Sequence, residues 1–414
     1  MITENLGQRS IQRAFLTCAC CACFFFISCG GGGAPKPTII VSKVADRVFV
    51  SNQQTNVLQI VDGQRDKVTT FTVPTGAGPS LLLEVQSKQS TIVYNSAEHS
   101  IGTVDNATEH QSASVSLPGN AVSVAITADG ATAYAAIPAS NCSGSTIVGA
   151  IAVVTFSSTS ITGCVPLQGV RNIVLGHNGA TLLAFVDNSN TAYYVTASDL
   201  TTGAVAISDA GAVLDHPANA VFSSDDSTAY ILSCGEECGG AVGSAKVTVF
   251  TPSSKTLGSS ASVAAAREGL LSGGKLFVAG TVPSAVPGGS PQGTVQTVDA
   301  GTLTAGGSAV ISDGIHDTIA LGSNNQLFIG ARACSNVVHG CLSIYNTSTG
   351  AVAFSAPVNA PAGDDVTGIE PIPGRNVVYV CEGGELRIYD TTTGALTPNQ
   401  SDIIGKAVDV RAIF

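Results

Sequence analysis

Along most of the chain, short apolar runs alternate with polar turns. Each run spans four to seven residues rich in Val, Ile, Tyr and Thr, and Gly, Asn, Asp or Ser bounds it, which is the pattern of β-strands. Between residues 38 and 414, no stretch of 12 residues keeps the helical period of apolar positions. The pattern therefore predicts an all-β protein.

The apolar runs recur as a longer unit. One run in each unit carries a large apolar residue, and these anchors lie 41 to 51 residues apart. The anchors are Phe49, Val93, Tyr134, Leu183, Tyr230, Phe277, Phe328 and Tyr379. Four short strands per unit of this length are typical of a β-propeller blade. The repeat predicts a β-propeller of eight four-stranded blades, with seven blades and one degenerate unit as the alternative.

The two ends of the repeat region suggest how the ring closes. A first-strand candidate precedes each unit, beginning with Thr38–Val41, and a ninth, Ala407–Phe414, ends the chain. If the C-terminal segment completes the first blade, the ring closes without an exposed strand edge.

Several segments resemble the YVTN family of β-propeller repeats. Phe49-Val-Ser-Asn52 is similar to the Tyr-Val-Thr-Asn core of that repeat, and Ala128-Asp-Gly130 is similar to its Pro-Asp-Gly turn. The turns Thr347–Gly350 and Thr392–Gly394 match its Thr-x-Thr-Gly pattern. The family's strand-ending Asp falls at Asp62, Asp105, Asp299 and Asp390. The resemblance covers residues 38–414 and implies a propeller; it is weak for function, because the family spans adhesins, scaffolds and uncharacterised exported proteins.

The first residues resemble a bacterial lipoprotein signal. A basic start precedes an apolar run of about 15 residues, shorter than the ~20 that cross a bilayer as a helix. Phe26-Ile-Ser-Cys29 is similar to a lipobox, although the family prefers Leu where Phe26 stands. The resemblance implies a signal peptide over 1–28, lipid attachment at Cys29, a Gly/Pro tether over 29–37 and a single propeller domain over 38–414. Gly30, and not Asp, follows the predicted lipid-bearing Cys, so in bacteria with two membranes the resemblance favours the outer membrane. The alternative is an uncleaved hydrophobic anchor, or an ordinary signal with a chance Cys.

Cysteine spacing supports export. Five of the 12 cysteines lie within residues 1–29, and six others form near pairs along the chain. We predict the disulfides Cys142–Cys164, Cys234–Cys238 and Cys334–Cys341, with Cys381 free in a buried strand. Zinc at Cys234 and Cys238 is the alternative, but two thiols fall short of the four ligands of structural zinc. We predict no metal site and no cofactor.

Insertions and charges concentrate at one end of the predicted blades. The loops between second and third strands are long at 138–146, 234–245, 281–293 and 332–340, and they lie on the same face as the links between blades. Only 11% of residues are charged, yet the links hold many of them. The candidate binding residues at the mouth of the central channel are Arg171, His216, Arg267, His316, Asp317, Asp364 and Asp365. The alternative is that these residues pair with neighbours and buttress the ring.

The sequence favours a binding or scaffold protein over an enzyme. No Gly-x-Ser-x-Gly elbow accompanies a plausible triad, and neither His-Glu-x-x-His nor a Cys-x-x-Cys-His haem site follows the signal. We therefore predict no catalytic residues and expect a protein or glycan ligand, with a lactonase-type or metal-assisted hydrolase as the alternative. The net charge of −11 disfavours a nucleic-acid partner, and a lipid anchor would make the membrane a partner.

Overall fold

The computed structural model describes residues 41–207, 214–335, 340–354, 364–398 and 403–413. The predicted signal peptide, Cys29, the tether and most of the first-strand candidate Thr38–Val41 lie outside these residues. The described chain belongs to one compact unit, Val41–Phe414. It forms 31 strands in eight antiparallel sheets, which confirms the predicted all-β propeller.

Each sheet is one blade; in blades 2 to 8 the strands run in chain order from the central channel outward, and in blade 1 the C-terminal strand is innermost. From the inner to the outer edge the strands are, in blade 1, β31 (Ala407–Ile413), β1 (Arg47–Asn52), β2 (Val57–Asp62) and β3 (Lys67–Pro74); in blade 2, β4 (Pro79–Val85), β5 (Ser90–Asn95), β6 (Ser100–Asp105) and β7 (His110–Ser116); in blade 3, β8 (Ser123–Ile126), β9 (Thr132–Ile137), β10 (Ala150–Thr155) and β11 (Ser160–Pro166); in blade 4, β12 (Val170–Leu175), β13 (Thr181–Val186), β14 (Ala192–Thr196) and β15 (Val205–Ile207); in blade 5, β16 (Pro217–Phe222), β17 (Ala229–Ser233), β18 (Lys246–Thr251) and β19 (Thr256–Ser262); in blade 6, β20 (Glu268–Ser272), β21 (Lys275–Val282), β22 (Gln292–Asp299) and β23 (Ala305–Ile311); in blade 7, β24 (Ile315–Leu321), β25 (Gln326–Arg332), β26 (Leu342–Asn346) and β27 (Val352–Phe354); and in blade 8, β28 (Val366–Pro371), β29 (Val377–Glu382) and β30 (Glu385–Asp390). At the fourth-strand position of blade 8, the described residues form a single bridge, Tyr389–Leu396.

The C-terminal strand closes the ring. β31 pairs antiparallel with β1, with Val48 opposite Ala412 and Val50 opposite Val410. Blade 1 therefore combines one strand from the end of the chain with three from its beginning, as the ninth first-strand candidate predicts. The pairing covers the inner edge of β1, which would otherwise be exposed, and it closes a ring of eight blades.

The hydrophobic core is distributed between the blades. Eight buried clusters each join two neighbouring blades, and one of them joins blade 8 to blade 1 through Tyr379, Ile388, Val48 and Val61. All eight predicted anchors lie in the second strands of the blades and are at most 6% exposed. The continuous apolar runs of the second strands thus have a simple cause, because both faces of each blade pack against a neighbour.

The repeated Asp at the end of the third strands stabilises the turn that follows. Asp105 accepts the N–H of Thr108 at 2.7 Å, Asp299 that of Thr302 at 2.8 Å, and Asp390 that of Thr392 at 2.7 Å. These hydrogen bonds, led by those from backbone N–H groups, lower the pKa of all three carboxyls. A short acceptor that bonds the backbone two or three residues ahead explains why Asp recurs there.

Helical structure is limited to short 3-10 turns at Gln86–Lys88, Leu200–Thr202 and Gly235–Cys238 among the residues that the structure describes. Within those residues, no helix has the length and apolar character needed to cross a membrane. The apolar run of the predicted signal lies outside this part of the chain.

Candidate functional site

The two ends of the propeller differ in composition. We call the end with the links between blades and the loops between second and third strands the loop-rich face. The opposite end, with the turns that join strands one to two and three to four, is the turn face. The insertions over 138–149, 234–245 and 283–291 all lie on the loop-rich face, between β9 and β10, β17 and β18, and β21 and β22.

The three predicted disulfides are present on the loop-rich face. Cys142–Cys164, Cys234–Cys238 and Cys334–Cys341 are bonded, with Cα–Cα distances of 5.6, 5.7 and 5.6 Å. Cys381 is fully buried in β29 and is the free cysteine of the described chain. Burial raises the pKa of its thiol well above the ordinary value. It therefore fills space in the core, as predicted.

A cavity of about 1130 Å³ opens at the centre of the loop-rich face. We call it the mouth. It is lined by the beginnings of all eight innermost strands and by the ends of several second strands. A cavity of this size is large enough for a small-molecule or glycan ligand.

A repeated irregularity aims one side chain per blade at the mouth. In six blades the pairing between the first and second strands shifts by one residue near the mouth. In blades 3 and 6 as well, two residues of the first strand face one residue of the second. Val122 donates its N–H to the carbonyl of Ala136, which lies opposite Ser123. Arg267 donates its N–H to the carbonyl of Ala279, which lies opposite Glu268. The extra residues are Val408, Ser80, Val122, Arg171, Ala218, Arg267, Asp317 and Thr367, and all eight line the cavity. A β-bulge leaves one residue unpaired and turns its side chain, which explains this ring.

The residue that directly precedes the extra residue of each bulge is buried, and only one of these eight preceding residues is polar. Seven are Ala, Val or Pro, whereas blade 7 has His316, which is 1% exposed. The Nε2 of His316 lies 3.0 Å from the carbonyl of Ser312, and its Nδ1 has no hydrogen-bond partner among the described residues. Burial lowers the pKa of His316 to about 4. The imidazole is therefore neutral, with Nε2–H donating to Ser312.

Five of the seven predicted mouth residues line the cavity: Arg171, His216, Arg267, His316 and Asp317. The bulges account for three of them. Arg171 is half exposed, and its guanidinium lies 4.0 Å from Asp187, also exposed. Arg267 lies 3.7 Å from Glu237, and Asp317 forms an ion pair with Arg332. Arg171 is therefore the cation least committed to the protein.

His216 and Asp215 interact although they are sequence neighbours. Adjacent residues on a strand point to opposite faces, and this pattern predicts that the two side chains diverge. In the structure, His216 has a φ of 51°, and its Nδ1 lies 2.7 Å from Asp215. The left-handed backbone before β16 turns the two side chains together, so the prediction from strand geometry is wrong here.

Asp364 and Asp365 are held by the surrounding loops and are not among the residues that line the cavity. Asp364 lies 3.2 Å from Arg387, a buried side chain in β30 that also lies 3.2 Å from Glu382. Asp365 accepts the N–H of Ala333 at 2.7 Å, which fixes the loop of blade 7. At these two positions the structure shows the buttressing arrangement that the sequence left as an alternative.

A belt of polar side chains joins blades 3 to 6 just below the bulges. Ser123 donates to Asn172 at 2.9 Å, Asn172 to Asn219 at 3.2 Å, and Asn219 to Glu268 at 2.9 Å. Burial and the nearby Asp317 raise the pKa of Glu268 to about 7, although the N–H of Gly269 and the amide of Asn219 oppose the shift. Each belt residue directly follows a bulge residue or the equivalent position, so neighbouring innermost strands are tied together around the mouth.

Sequence reasoning missed three charged groups at the mouth. Arg332 and Asp187 line the cavity at the ends of second strands, and Glu237, in the loop inside the Cys234–Cys238 disulfide, pairs with the cavity-lining Arg267. Their partners are distant in sequence, which leaves no local signal. Among the described residues, no group of three or more His, Cys, Asp or Glu side chains is arranged to hold a metal ion.

No protein-family model and no curated protein sequence matches this chain. Solved structures share its fold. The dihydro-heme d1 dehydrogenase NirN, in complex with DHE, is 11% identical with a TM-score of 0.63, over 91% of this chain and 77% of that chain. The β-propeller domain of Cps50 (Swd1) from Myceliophteria thermophila is 11% identical with a TM-score of 0.53, over 74% and 94%. A functionally unknown protein from Desulfotomaculum acetoxidans is 10% identical with a TM-score of 0.52, over 89% and 99%. At these identities the similarity establishes the β-propeller fold.

Proposed function

We propose that this chain is a lipid-anchored, extracytoplasmic binding propeller of the YVTN type, whose mouth binds a polar ligand. The ring of eight bulges carries the proposal, because it turns one side chain from every blade toward a single cavity. A rigid scaffold that presents varied residues at one place is the usual design of a binding site.

The chemistry of the mouth favours a glycan or a polar peptide segment as ligand. Arg171, Asp187 and Asn120 bring charged and amide groups to the cavity. Such groups form hydrogen bonds with hydroxyl and carbonyl oxygens, and Arg in particular binds carboxylates in a bidentate manner. Arg171 is suited to contact a ligand because its one carboxylate partner, Asp187, is 4.0 Å away and solvent-exposed.

The rim of the loop-rich face favours a protein as an additional or alternative ligand. Apolar side chains stand exposed on its loops: Val148 is 53% exposed, Val286 67% and Val242 83%. Isolated exposed apolar residues are ordinary, but three insertions on one face that each expose at least one form a rim suited to a partner surface.

Export and anchoring through Cys29 are part of the proposal. Three disulfides fit an oxidising compartment. The described chain begins on the turn face, where Ser42 donates its N–H to Glu109 in the turn between β6 and β7 at 2.6 Å. The described chain thus begins on the face opposite the mouth.

Replacing the lipid-bearing residue tests the anchor. We expect Cys29→Ala to abolish incorporation of radiolabelled palmitate and to release the protein from the membrane fraction. Equal labelling of the variant and the wild type would exclude a lipid at Cys29.

Replacing one bulge residue tests the binding site. We expect the full chain to bind a subset of glycans on an array, and Arg171→Ala to lose at least about tenfold in affinity, the effect of one charge-assisted hydrogen bond. Arg65→Ala, an exposed residue on the turn face, is the control. The melting temperature of both variants should match the wild type, because each Arg is more than half exposed. Glycan binding that Arg171→Ala leaves unchanged would place the site elsewhere.

A further inference from the structure

One disulfide lies inside the mouth, unlike the other two. Cys234 and Cys238 both line the cavity, whereas the four cysteines of the other two disulfides do not. Within the pair the two residues differ in exposure: Cys234 is 1% exposed, whereas Cys238 is only partly buried. A thiol that enters the mouth would therefore meet the sulfur of Cys238 first.

A guanidinium stands beside the accessible sulfur. Arg267, the bulge residue of blade 6, has its Nη1 3.4 Å from the Sγ of Cys238. A nearby cation favours a thiolate over a thiol and so makes a cysteine more reactive. The acidic neighbour of Arg267, Glu237, offsets this charge only in part, because burial raises the pKa of Glu237 to about 7, even though Thr281 N–H and Arg267 oppose the shift.

The buried sulfur has a different environment. The Sγ of Cys234 lies 2.9 Å from the carbonyl oxygen of His216. In the reduced protein this carbonyl would accept the S–H of Cys234, which favours the protonated thiol there. The two sulfurs are thus placed for unlike states after reduction, Cys238 as a thiolate beside Arg267 and Cys234 as a thiol.

We propose that Cys234–Cys238 is a redox-active disulfide that exchanges with small thiols and disulfides entering the mouth, with Cys238 as the sulfur that forms the mixed disulfide. The inference is independent of the polar ligand proposed above. It assigns to the mouth a second property, two-electron thiol–disulfide exchange.

The exchange balances without any other reactant. In the reduced protein, the Cys238 thiolate attacks one sulfur of an external disulfide, and the other external sulfur leaves as a thiolate that takes up a proton. Cys234 then loses its proton and attacks the Sγ of Cys238, and the second external thiolate leaves. One external disulfide becomes two thiols, while the protein dithiol becomes the disulfide. In the reverse direction, two external thiols reduce the protein disulfide.

Redox titration of the full chain tests the proposal. The protein is equilibrated with defined ratios of reduced to oxidised glutathione, alkylated, and analysed by peptide mass spectrometry, so that each disulfide is followed separately. We expect Cys234–Cys238 to be reduced at ratios that leave Cys142–Cys164 and Cys334–Cys341 oxidised. Reduction of all three together, or of Cys234–Cys238 only after the protein unfolds, would overturn the proposal.

The role of Arg267 is tested by the rate. Arg267→Gln should slow oxidation of the reduced protein by oxidised glutathione about tenfold, because loss of the adjacent cation disfavours the Cys238 thiolate that attacks the external disulfide. The control Arg65→Gln also removes one positive charge but lies on the turn face, and it should react like the wild type. Equal rates for Arg267→Gln and Arg65→Gln would remove Arg267 from the mechanism and overturn the proposed assistance.

A single-cysteine readout identifies the reactive sulfur. In Cys234→Ser, the thiolate absorbance at 240 nm should titrate below the ordinary thiol pKa of about 8.5, and Cys234→Ser/Arg267→Gln should raise it. The double variant Cys234→Ser/Cys238→Ser supplies the baseline, including any contribution of buried Cys381. An unshifted pKa for Cys238 would overturn the assignment; if Cys234→Ser does not fold, the glutathione titration of the wild type still decides.

Discussion

The turn face and the loop-rich face are made by the same strands, yet their carboxyl groups behave in opposite ways. On the turn face, the pKa is lowered for Asp66, Asp105, Asp129, Asp199, Asp225, Asp226, Asp299 and Asp390. Around the mouth, it is raised for Glu237, Glu268, Asp317 and Asp409, with Asp215 as the exception.

The difference has a structural cause. Most turn-face carboxylates accept hydrogen bonds from the hydroxyl and N–H groups of their own turn; Asp225, for example, bonds Ser223 and Ser227. Burial acts to raise the pKa of Asp66 and Asp226, but both carboxylates accept hydrogen bonds from a neighbouring blade, which lower it. Around the mouth, burial dominates, and it disfavours the ionised form. The turn face is therefore built from local stabilising contacts, whereas the mouth keeps acids in costly surroundings, a feature common at functional sites.

The largest loss of stability is expected when a buried cation of the loop-rich face is removed. Arg387 is 9% exposed and neutralises Asp364 and Glu382, which is 1% exposed. Arg387→Ala removes the cation that pairs with both buried carboxylates, and we expect a loss of about 3–5 kcal/mol in the free energy of unfolding. Urea denaturation measures it.

The turn face supplies the matched comparison. Arg65 pairs with Asp62 at 3.5 Å, but its side chain is 77% exposed. Arg65→Ala should cost at most about 1 kcal/mol, as exposed pairs do. If Arg387→Ala were as mild as Arg65→Ala, the buried ion pairs would not hold the loop-rich face together, and Asp364 would again be available for a ligand.

The two faces also explain what could be predicted from the sequence. Strands, anchors and Asp turns depend on neighbours within a few residues, so the repeat pattern predicts them. The same pattern predicts the composition of blade 1, because it leaves a ninth first-strand candidate at the end of the chain. The mouth depends on contacts between distant segments. The link that holds Asp364 can be located from the repeat, which predicts this residue at the mouth, but its partner Arg387 lies on another strand and leaves no local signal.

The bulges show the same limit. Arg171, Arg267 and Asp317 can be predicted from the sequence, because sparse charges near the first strands stand out in a weakly charged chain. Nothing in the pattern marks the shifted register that aims them inward, since Ser80, Val122 and Ala218 occupy the same position. The bulge recurs in the backbone of every blade, but a different residue type can occupy it each time, so the sequence repeat does not reveal it.

The smaller, pH-dependent effect should have opposite signs on the two faces. Glu268 has its pKa raised to about 7 in the folded protein, so the folded state binds this proton more tightly than the unfolded state. Its contribution is most favourable below the unfolded pKa of about 4.3 and is lost as the pH rises through about 7. Asp225, with a pKa lowered to about 2 by its hydrogen bonds to Ser223 and Ser227, contributes above pH 4 and loses that contribution as the pH falls through about 2.

Two variants turn this contrast into a measurement. Glu268→Gln cannot ionise. Its free energy of unfolding relative to the wild type should therefore increase by as much as about 3 kcal/mol between pH 5 and pH 8. Loss of one hydrogen bond from Asn219 lowers that free energy at every pH. Asp225→Ala should be less stable than the wild type at pH 7, and the difference should shrink toward pH 2. Thermal melts across pH 2–8 give both profiles. A Glu268→Gln difference that does not change with pH would mean that this carboxyl ionises normally, and the mouth would then resemble the turn face in its electrostatics.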